Sequence, residues 1–470
     1  METIAKINDV INDAVWGPIM LLLIVGTGVY LTFGTGWIQI RKFGYAMKNT
    51  IATLFKKGEE GTANHSDGTN VTPFQAVSTA LASTVGVGNV AGVAGAIFSG
   101  GPGAVFWMWV SAVFGMATKY SEIVLSIKYR QVDENGTYYG GPMYYIEKGL
   151  NMKWLAVIFA LFGGLCCFGI GNATQAGEIS AAVNNITGAD FDSSMITGIV
   201  LAAVTGIVII GGIKRISTIT SYLVPFMALF YILGGIIIIL SNIAEVPRAF
   251  GLIFSEAFSV KAAAGGVGGY AITRAMRFGI ARGVFSNEAG LGSAPIAHAA
   301  SSTKDPVKQG LWGIFEVFVD TILVCSITGI VIVISGIYND GLTGGPLTAA
   351  AFQKLIPFGG NFVRIAILLF ALSTILGWSY YGERCWGYLT NNNKVVNLIF
   401  KVVFIAIVFI GAVSTSSTIL SDTSALDVVW EIADTLNGLM ALPNLVGLLL
   451  LSKVTINLTR DYFKKEGLIR

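Results

Sequence analysis

The segment Ser83-Thr84-Val85-Gly86-Val87-Gly88-Asn89-Val90-Ala91-Gly92 gathers two hydroxyls, three glycines and an amide inside an otherwise apolar run. Two chemistries suit those residue types at that spacing. Gly86, Gly88 and Ala91 satisfy the G-x-G-x-x-[GA] pattern of a dinucleotide-binding loop. Such a loop needs an acid about 20 residues on for the ribose. Yet no Asp or Glu occurs between Asp67 and Glu122, and no Lys or Arg between Lys57 and Lys119. The nucleotide reading fails. The second chemistry is that of a broken membrane helix. Unwound backbone at membrane depth is tolerated where it lines a cavity or is buried in protein. It then offers carbonyls to a cation and N–H groups to a carboxylate. Thr84, Gly86, Gly88 and Asn89 become candidate ligands, Asn89 as a neutral oxygen; close helix packing through small residues is the competing explanation.

The elements that must position this segment follow from composition. Of 470 residues, 54% are hydrophobic and only 12% charged, about half the charge of a soluble domain. This predicts an all-α polytopic membrane protein. Apolar windows of about 20 residues place approximately eleven spans at 16–35, 73–97, 102–126, 154–183, 193–212, 216–240, 257–276, 311–337, 362–383, 396–418 and 435–452. Loop charge alternates. Arg41, Lys42, Lys48, Lys128, Lys214, Arg274, Arg277, Arg282, Lys304, Arg384, Lys453 and Lys464 fall on one side, while acids such as Asp434 fall on the other. The positive-inside rule puts the first set in the cytoplasm, the N-terminus outside and the C-terminus inside. The net charge of +3 is too small to suggest nucleic-acid binding. No cleavable signal peptide is read at the N-terminus.

After a first span within 1–40 and a cytoplasmic amphipathic linker at 41–72, two sets of five spans remain, 73–240 and 257–452, followed by a cytoplasmic tail at 453–470. Each set opens on a glycine-interrupted span, the second at Ala264-Gly265-Gly266-Val267-Gly268-Gly269. Five is odd, so the second set is inverted. Paired interrupted spans in inverted repeats point to a secondary transporter with its site at the bilayer midplane. Phe168, Asn172 and Gln175 fall at i, i+4 and i+7, one helical face suited to a small zwitterion or to a polar seam between helices. Thr374 and Trp378 form another i, i+4 pair, with Trp378 able to narrow a pocket or to sit at an interface. Gly266 and Gly268 would complete the cavity opposite the first break.

Ionisable groups in spans are functional by default. Lys119 and Glu122 read as a snorkelling pair at a cytoplasmic end. Glu178, Glu316 and Asp320 could ligate a cation, take a proton, or pair with arginines such as Arg274 or Arg277. Asn287 and Glu288 fall in a cytoplasmic connection with no assignable role. The four cysteines read as buried small hydrophobes, without metal-type spacing. His65 and His298, the only histidines, lie in cytoplasmic-side loops with no nucleophile or metal cluster beside them, so an enzyme is not expected. Oxygen donors of carbonyl, amide and hydroxyl type suit a hard cation such as sodium; proton coupling is the alternative.

Three further stretches carry a family resemblance. GGPGAVFWMWVSAVFG at Gly100–Gly115, GGPMYY at Gly140–Tyr145 and RGVFSNEAGLGS at Arg282–Ser293 resemble the alanine or glycine:cation symporter family, and the likeness runs from the first span to the last. It implies a LeuT-type five-plus-five inverted repeat with one extra N-terminal helix. It implies two sodium sites flanking the first break. One uses the Thr84 carbonyl, the Asn89 side chain and the substrate carboxylate; the other uses the Ala82 and Val85 carbonyls with the hydroxyls of Ser373 and Thr374. The expected function is sodium-coupled symport of small amino acids (alanine, glycine) into the cell by alternating access, without an organic cofactor. A proton-coupled symporter and a channel are the alternatives.

Overall fold

The computed structural model describes residues 2–54, 56, 63–64, 67–188, 193–258, 268–415 and 424–468. Helices dominate it. In chain order the principal ones are α1 (Glu2–Val15), α2 (Pro18–Gly34), α3 (Pro73–Thr84), α4 (Ala91–Gly100), α5 (Gly103–Tyr129), α6 (Lys153–Cys166), α7 (Thr174–Thr187), α8 (Ser194–Ile210) and α9 (Gly212–Ser241). The second half holds α10 (Gly268–Asn287), α11 (Ala294–His298), α12 (Pro306–Val317), α13 (Ser326–Ser335), α14 (Gly344–Leu355), α15 (Gly359–Leu389), α16 (Lys394–Val413), α17 (Ser424–Leu450) and α18 (Ser452–Lys465). A two-stranded antiparallel hairpin pairs Gln131 with Tyr139 and Val132 with Tyr138.

Among the described residues, seven helices are long and apolar enough to cross a membrane, eight if the bent pair α3–α4 is one span. The expectation of about eleven spans is therefore not established by length and composition. The physical reason lies in the interior helices. α5 carries Lys119, Glu122 and Lys128, and α10 carries Arg274, Arg277 and Arg282; α8 is apolar but shorter. The bundle is inverted relative to a water-soluble protein. Large apolar side chains of α9 and α16, such as Phe226, Leu233, Leu398 and Val402, face outward, as lipid contact requires. Polar and charged side chains such as Asn89, Glu122, Asn172, Glu316 and Asp320 are instead buried inside.

Four interruptions of regular helix surround the interior. α3 starts on a capping box: the Thr72 hydroxyl accepts from the Gln75 N–H at 3.1 Å, and the Gln75 side chain accepts from the Thr72 N–H at 3.0 Å. It ends at Thr84, and the chain turns by 59° before α4. Between α10 and α11, residues 288–293 are non-helical and buried, with Glu288, Gly290 and Gly292 at φ of 55°, 95° and 87°. Only glycine adopts such angles without cost, so Gly290 and Gly292 are required by backbone geometry. The other two interruptions are wide π-type turns, Gly169–Ala173 joining α6 to α7 and Phe318–Cys325 joining α12 to α13. Each shifts the phase of the helix that continues beyond it.

Two expectations change here. The second glycine interruption was expected at 264–269; Gly266 lies outside the described residues, and Gly268 opens α10. The described buried break lies further along, at 288–293. The span expected at 257–276 also ended too early. Arg277 pairs at 2.9 Å with Asp13 of α1, so this part of α10 lies beside the N-terminal helix rather than in a loop across the membrane from it. Arg282 lies further along α10, within the helix.

Candidate functional site

The first break is built so that its freed backbone groups find side-chain partners. The Gly86 N–H donates to Asn89 Oδ1 at 2.8 Å. The carbonyl of Ala82 accepts from Ser373 at 3.1 Å, that of Asn89 from Thr328 at 2.8 Å and that of Val90 from Thr348 at 3.0 Å. α15, α13 and α14 thus each supply a hydroxyl to the unwound stretch, which satisfies buried backbone that a helix would have paired internally. Gly86 has an ordinary extended backbone, φ −132°. Its requirement for glycine is steric: a Cβ there would lie 2.5 Å from Thr374 Oγ1. Ala82, Val85, Gly86, Ser373 and Thr374 are therefore neighbours, although they come from opposite halves of the chain. Thr84 lies at the end of α3 with its hydroxyl donating back to the Ala80 and Leu81 carbonyls, and its own carbonyl is the prospective ligand that the break exposes.

Asn89 leads to a carboxylate. Its Nδ2 donates to Asp320 Oδ1 at 2.6 Å, while Asp320 Oδ2 accepts from Ser286 at 2.9 Å and from Thr321 at 2.7 Å. Cys325 Sγ lies 3.3 Å from both Asn89 Nδ2 and Ser286 Oγ. All of these groups are buried, and among the described residues no basic side chain pairs with Asp320. Asp320 was expected to serve as a ligand or proton site, or to pair with an arginine of α10; the arginine pairing does not occur. The oxygen of Asn89 is engaged by Gly86, so the side chain joins the break to Asp320.

Asp320 and Glu316 are four residues apart yet face different neighbourhoods, because the turn at Phe318–Cys325 intervenes. Glu316 pairs with Lys119 at 3.4 Å and with His298 at 3.1 Å, all three fully buried. Lys119 and Glu122 are thus not a snorkelling pair at a helix end, and His298 is not a loop residue. Glu122 instead accepts from the Gly290 N–H at 3.0 Å and from Asn444 at 2.6 Å, while Asn444 also donates to the Gly290 carbonyl at 2.9 Å. α5 and α17 clamp the second break from two sides. Asn287 and Glu288 belong to it as well: Asn287 donates to Thr321 at 3.0 Å, and the Glu288 carboxylate accepts from Ser293. Both are buried within the bundle, at the end of α10 and the start of the non-helical stretch that follows it, rather than in an exposed loop.

The expected face of Phe168, Asn172 and Gln175 is split by the wide turn between α6 and α7. Phe168 packs on Phe400 and Phe404, and Asn172 donates to the Phe404 carbonyl at 2.8 Å, so both turn toward α16. Gln175 turns the other way. Its Nε2 donates to Ile170 at 3.0 Å, and its buried Oε1 has no partner. It lines a cavity of about 280 Å³ with Val87, Gly88, Ala91, Arg282 and Phe285. A second cavity of about 310 Å³ shares Arg282 and Phe285 and reaches Asn12 and Asp434 under α1. Trp378 lies deeper, against Gly171, where an added Cβ would fall 2.3 Å from the Trp378 side chain. Ser286 and Asn287 are site residues to which sequence reasoning gave no role; Glu122 was read only as half of a snorkelling pair, and Asp320 as a ligand, a proton site or an arginine partner without its link to Asn89. The available signal was the Gly290-x-Gly292 pair flanked by Ser286, Asn287 and Ser293, the same mixture of types as the first break.

Comparison with known proteins supplies the identity this geometry suits. The family model described as "Sodium:alanine symporter family" matches residues 1–468. The sodium/alanine symporter AgcS of Methanococcus maripaludis is 49% identical, over 98% of each chain. A Bacillus subtilis protein named probable sodium/glutamine symporter GlnT is 36% identical over 99% of this chain and 92% of its own. Among solved structures, MhsT in complex with L-phenylalanine aligns with a TM-score of 0.52 at 16% identity, over 82% of this chain and 97% of that one. The last likeness shows the LeuT-type fold.

Proposed function

We propose, from the premise that the chain belongs to the sodium:alanine symporter family, that it carries alanine or glycine into the cell together with sodium by alternating access. It is a transporter and not an enzyme. The observation that carries the finer reading is the buried Asp320 carboxylate, which reaches the first break through Asn89 and has neutral donors around it. A carboxylate withdrawn from water is costly without a counter-charge. The substrate brings a second carboxylate. A cation bound among Asp320, Ser286, Thr321 and the Thr84 carbonyl would offset the Asp320 charge and ease the approach of the substrate carboxylate, since the two hydroxyls can turn a lone pair toward it. Coupling then has a physical basis: each ligand raises the affinity for the other by the same factor.

In this reading Asn89 positions Asp320 rather than ligating the cation through its own oxygen. A second sodium would lie at the carbonyls of Ala82 and Val85 with Ser373 and Thr374. The ammonium of the amino acid would meet the unpartnered Gln175 oxygen, with Gly86 and Gly88 admitting it to the break and Trp378 setting the depth of the pocket. Hard oxygen donors favour sodium over softer ions. In this reading the cavities beside α1 open outward, with the N-terminus outside as the positive-inside reading of the loops has it. That orientation is checked by an impermeant maleimide, which should label Asp9→Cys and not Lys464→Cys in intact cells. The reading as a carrier is tested by counterflow. Proteoliposomes loaded with unlabelled alanine should accelerate entry of labelled alanine; entry insensitive to the internal load would indicate a channel.

A further inference from the structure

A cavity of about 260 Å³ lies between α7, α14 and α15, apart from the transport site. Its walls include Glu178 and Asn185 of α7, Gly345 and Gln353 of α14, and Gly360 and Arg364 of α15. Glu178 is half-buried, and its carboxylate has no hydrogen-bond or ion-pair partner among the described residues. It points at α14, where a Cβ added to Gly345 would lie 3.7 Å from Glu178 Oε2. Arg364 stands on another wall and does not close on Glu178; its Nη1 donates to Asn361 at 2.7 Å instead. Two opposite charges therefore share one small cavity without meeting. Asn185 and Asn361 are exposed.

A withdrawn carboxylate without a partner is unfavourable, and a guanidinium in its reach would ordinarily close the pair. A ligand that carries both charges resolves the arrangement. Its ammonium would answer Glu178, and its carboxylate would take the guanidinium fork of Arg364, the geometry that recognises carboxylates best. The volume is below the ~300–1,000 Å³ of pockets for drug-sized molecules, so the ligand is small. We propose that this cavity is a second binding site for a free amino acid, held as a zwitterion between Glu178 and Arg364. α14 links it to the transport site: Gly344, at the start of α14, lines the vestibule over the first break, while Gly345 and Gln353 line this cavity. Occupancy here thus bears on the helix that borders the vestibule. The inference does not depend on which cation drives transport.

The test uses the purified full chain in detergent, with tritiated alanine measured by equilibrium dialysis at saturating sodium. Two alanine molecules per chain are expected in the parent protein. Glu178→Gln and Arg364→Met, one from each wall, should each weaken one of the two at least tenfold, while sodium-driven uptake at low alanine is kept. Ethylamine and propionate, with one charge each, should fail to displace alanine from it. Asp320→Asn should remove the other site and spare this one, so the two readings fail separately. One alanine per chain in the parent protein would overturn the proposal. So would two undiminished sites in both Glu178→Gln and Arg364→Met.

Discussion

Asp320→Asn separates a cation-binding role for this residue from a merely structural one. The substitution keeps the shape and removes one charge. The new amide can still accept from Asn89 with its oxygen, and the hydroxyls of Ser286 and Thr321, now 2.9 and 2.7 Å from Oδ2, can accept from its nitrogen. Folding should therefore survive. The electrostatic loss is larger. A cation ligated at this carboxylate would sit within about 4 Å of its charge, where a unit pair is worth about 4 kcal/mol at an effective dielectric of about 20. Reorganised donors recover part of that, leaving roughly 2–4 kcal/mol, or a sodium affinity roughly 30- to 700-fold weaker. The assay is initial alanine uptake into proteoliposomes as a function of sodium. In parallel, the sodium-dependent rise in unfolding temperature of the purified protein reports binding without transport. A monodisperse variant whose half-saturating sodium stays within about threefold of the parent's would refute the reasoning.

Other substitutions probe the framework. Gly86→Ala places a methyl 2.5 Å from Thr374 Oγ1, so alanine uptake should fall at least tenfold while the protein still purifies as a folded monodisperse species; unchanged uptake would show that the close approach is dispensable. Lys119→Met leaves Glu316 with His298 alone and should cost ~3–5 kcal/mol in thermal or denaturant unfolding. Lys119→Met/Glu316→Gln should recover most of it, and a double variant no better than the single one would argue against the pair. Gly292→Ala forces a side chain onto a backbone at φ 87° and to within 2.9 Å of Pro142, Phe159 and Asn444. It should lower the unfolding midpoint by more than Gly26→Ala, whose added Cβ meets nothing within 4 Å; equal midpoints would contradict the need for glycine in the second break.

The first break was legible because an apolar run cannot hide two alternate glycines, two hydroxyls and an amide, and those atoms do line one another in the fold. A second break among the described residues went unread for a definable reason. Glycine density drew attention to 264–269, of which 264–267 lie outside the described residues, whereas the described buried break falls where glycine must supply positive φ, at Gly290 and Gly292. Hydropathy windows then cut α10 short and put Arg277 and Arg282 in a loop, although both lie in α10 and Arg277 pairs with Asp13 of α1. The two wide turns left no periodic trace, since one extra residue per turn changes phase without changing composition. That is why Phe168 and Asn172 were grouped with Gln175, and Glu316 with Asp320, although each grouping divides in space. Lys119 looked like a snorkelling residue because its partner, Glu316, is distant in sequence. The family resemblance carried fold and transport class, while the role of Asp320 required the three-dimensional contacts of Asn89 and Ser286.

The central claim is that amino-acid movement is driven by sodium bound beside the first break. Proteoliposomes loaded with sodium-free buffer, given labelled alanine with or without an inward sodium gradient at fixed pH and zero membrane potential, test it most directly. Accumulation above the external concentration with the gradient, and mere equilibration without it, is the predicted result. Equal uptake in both conditions would contradict the account.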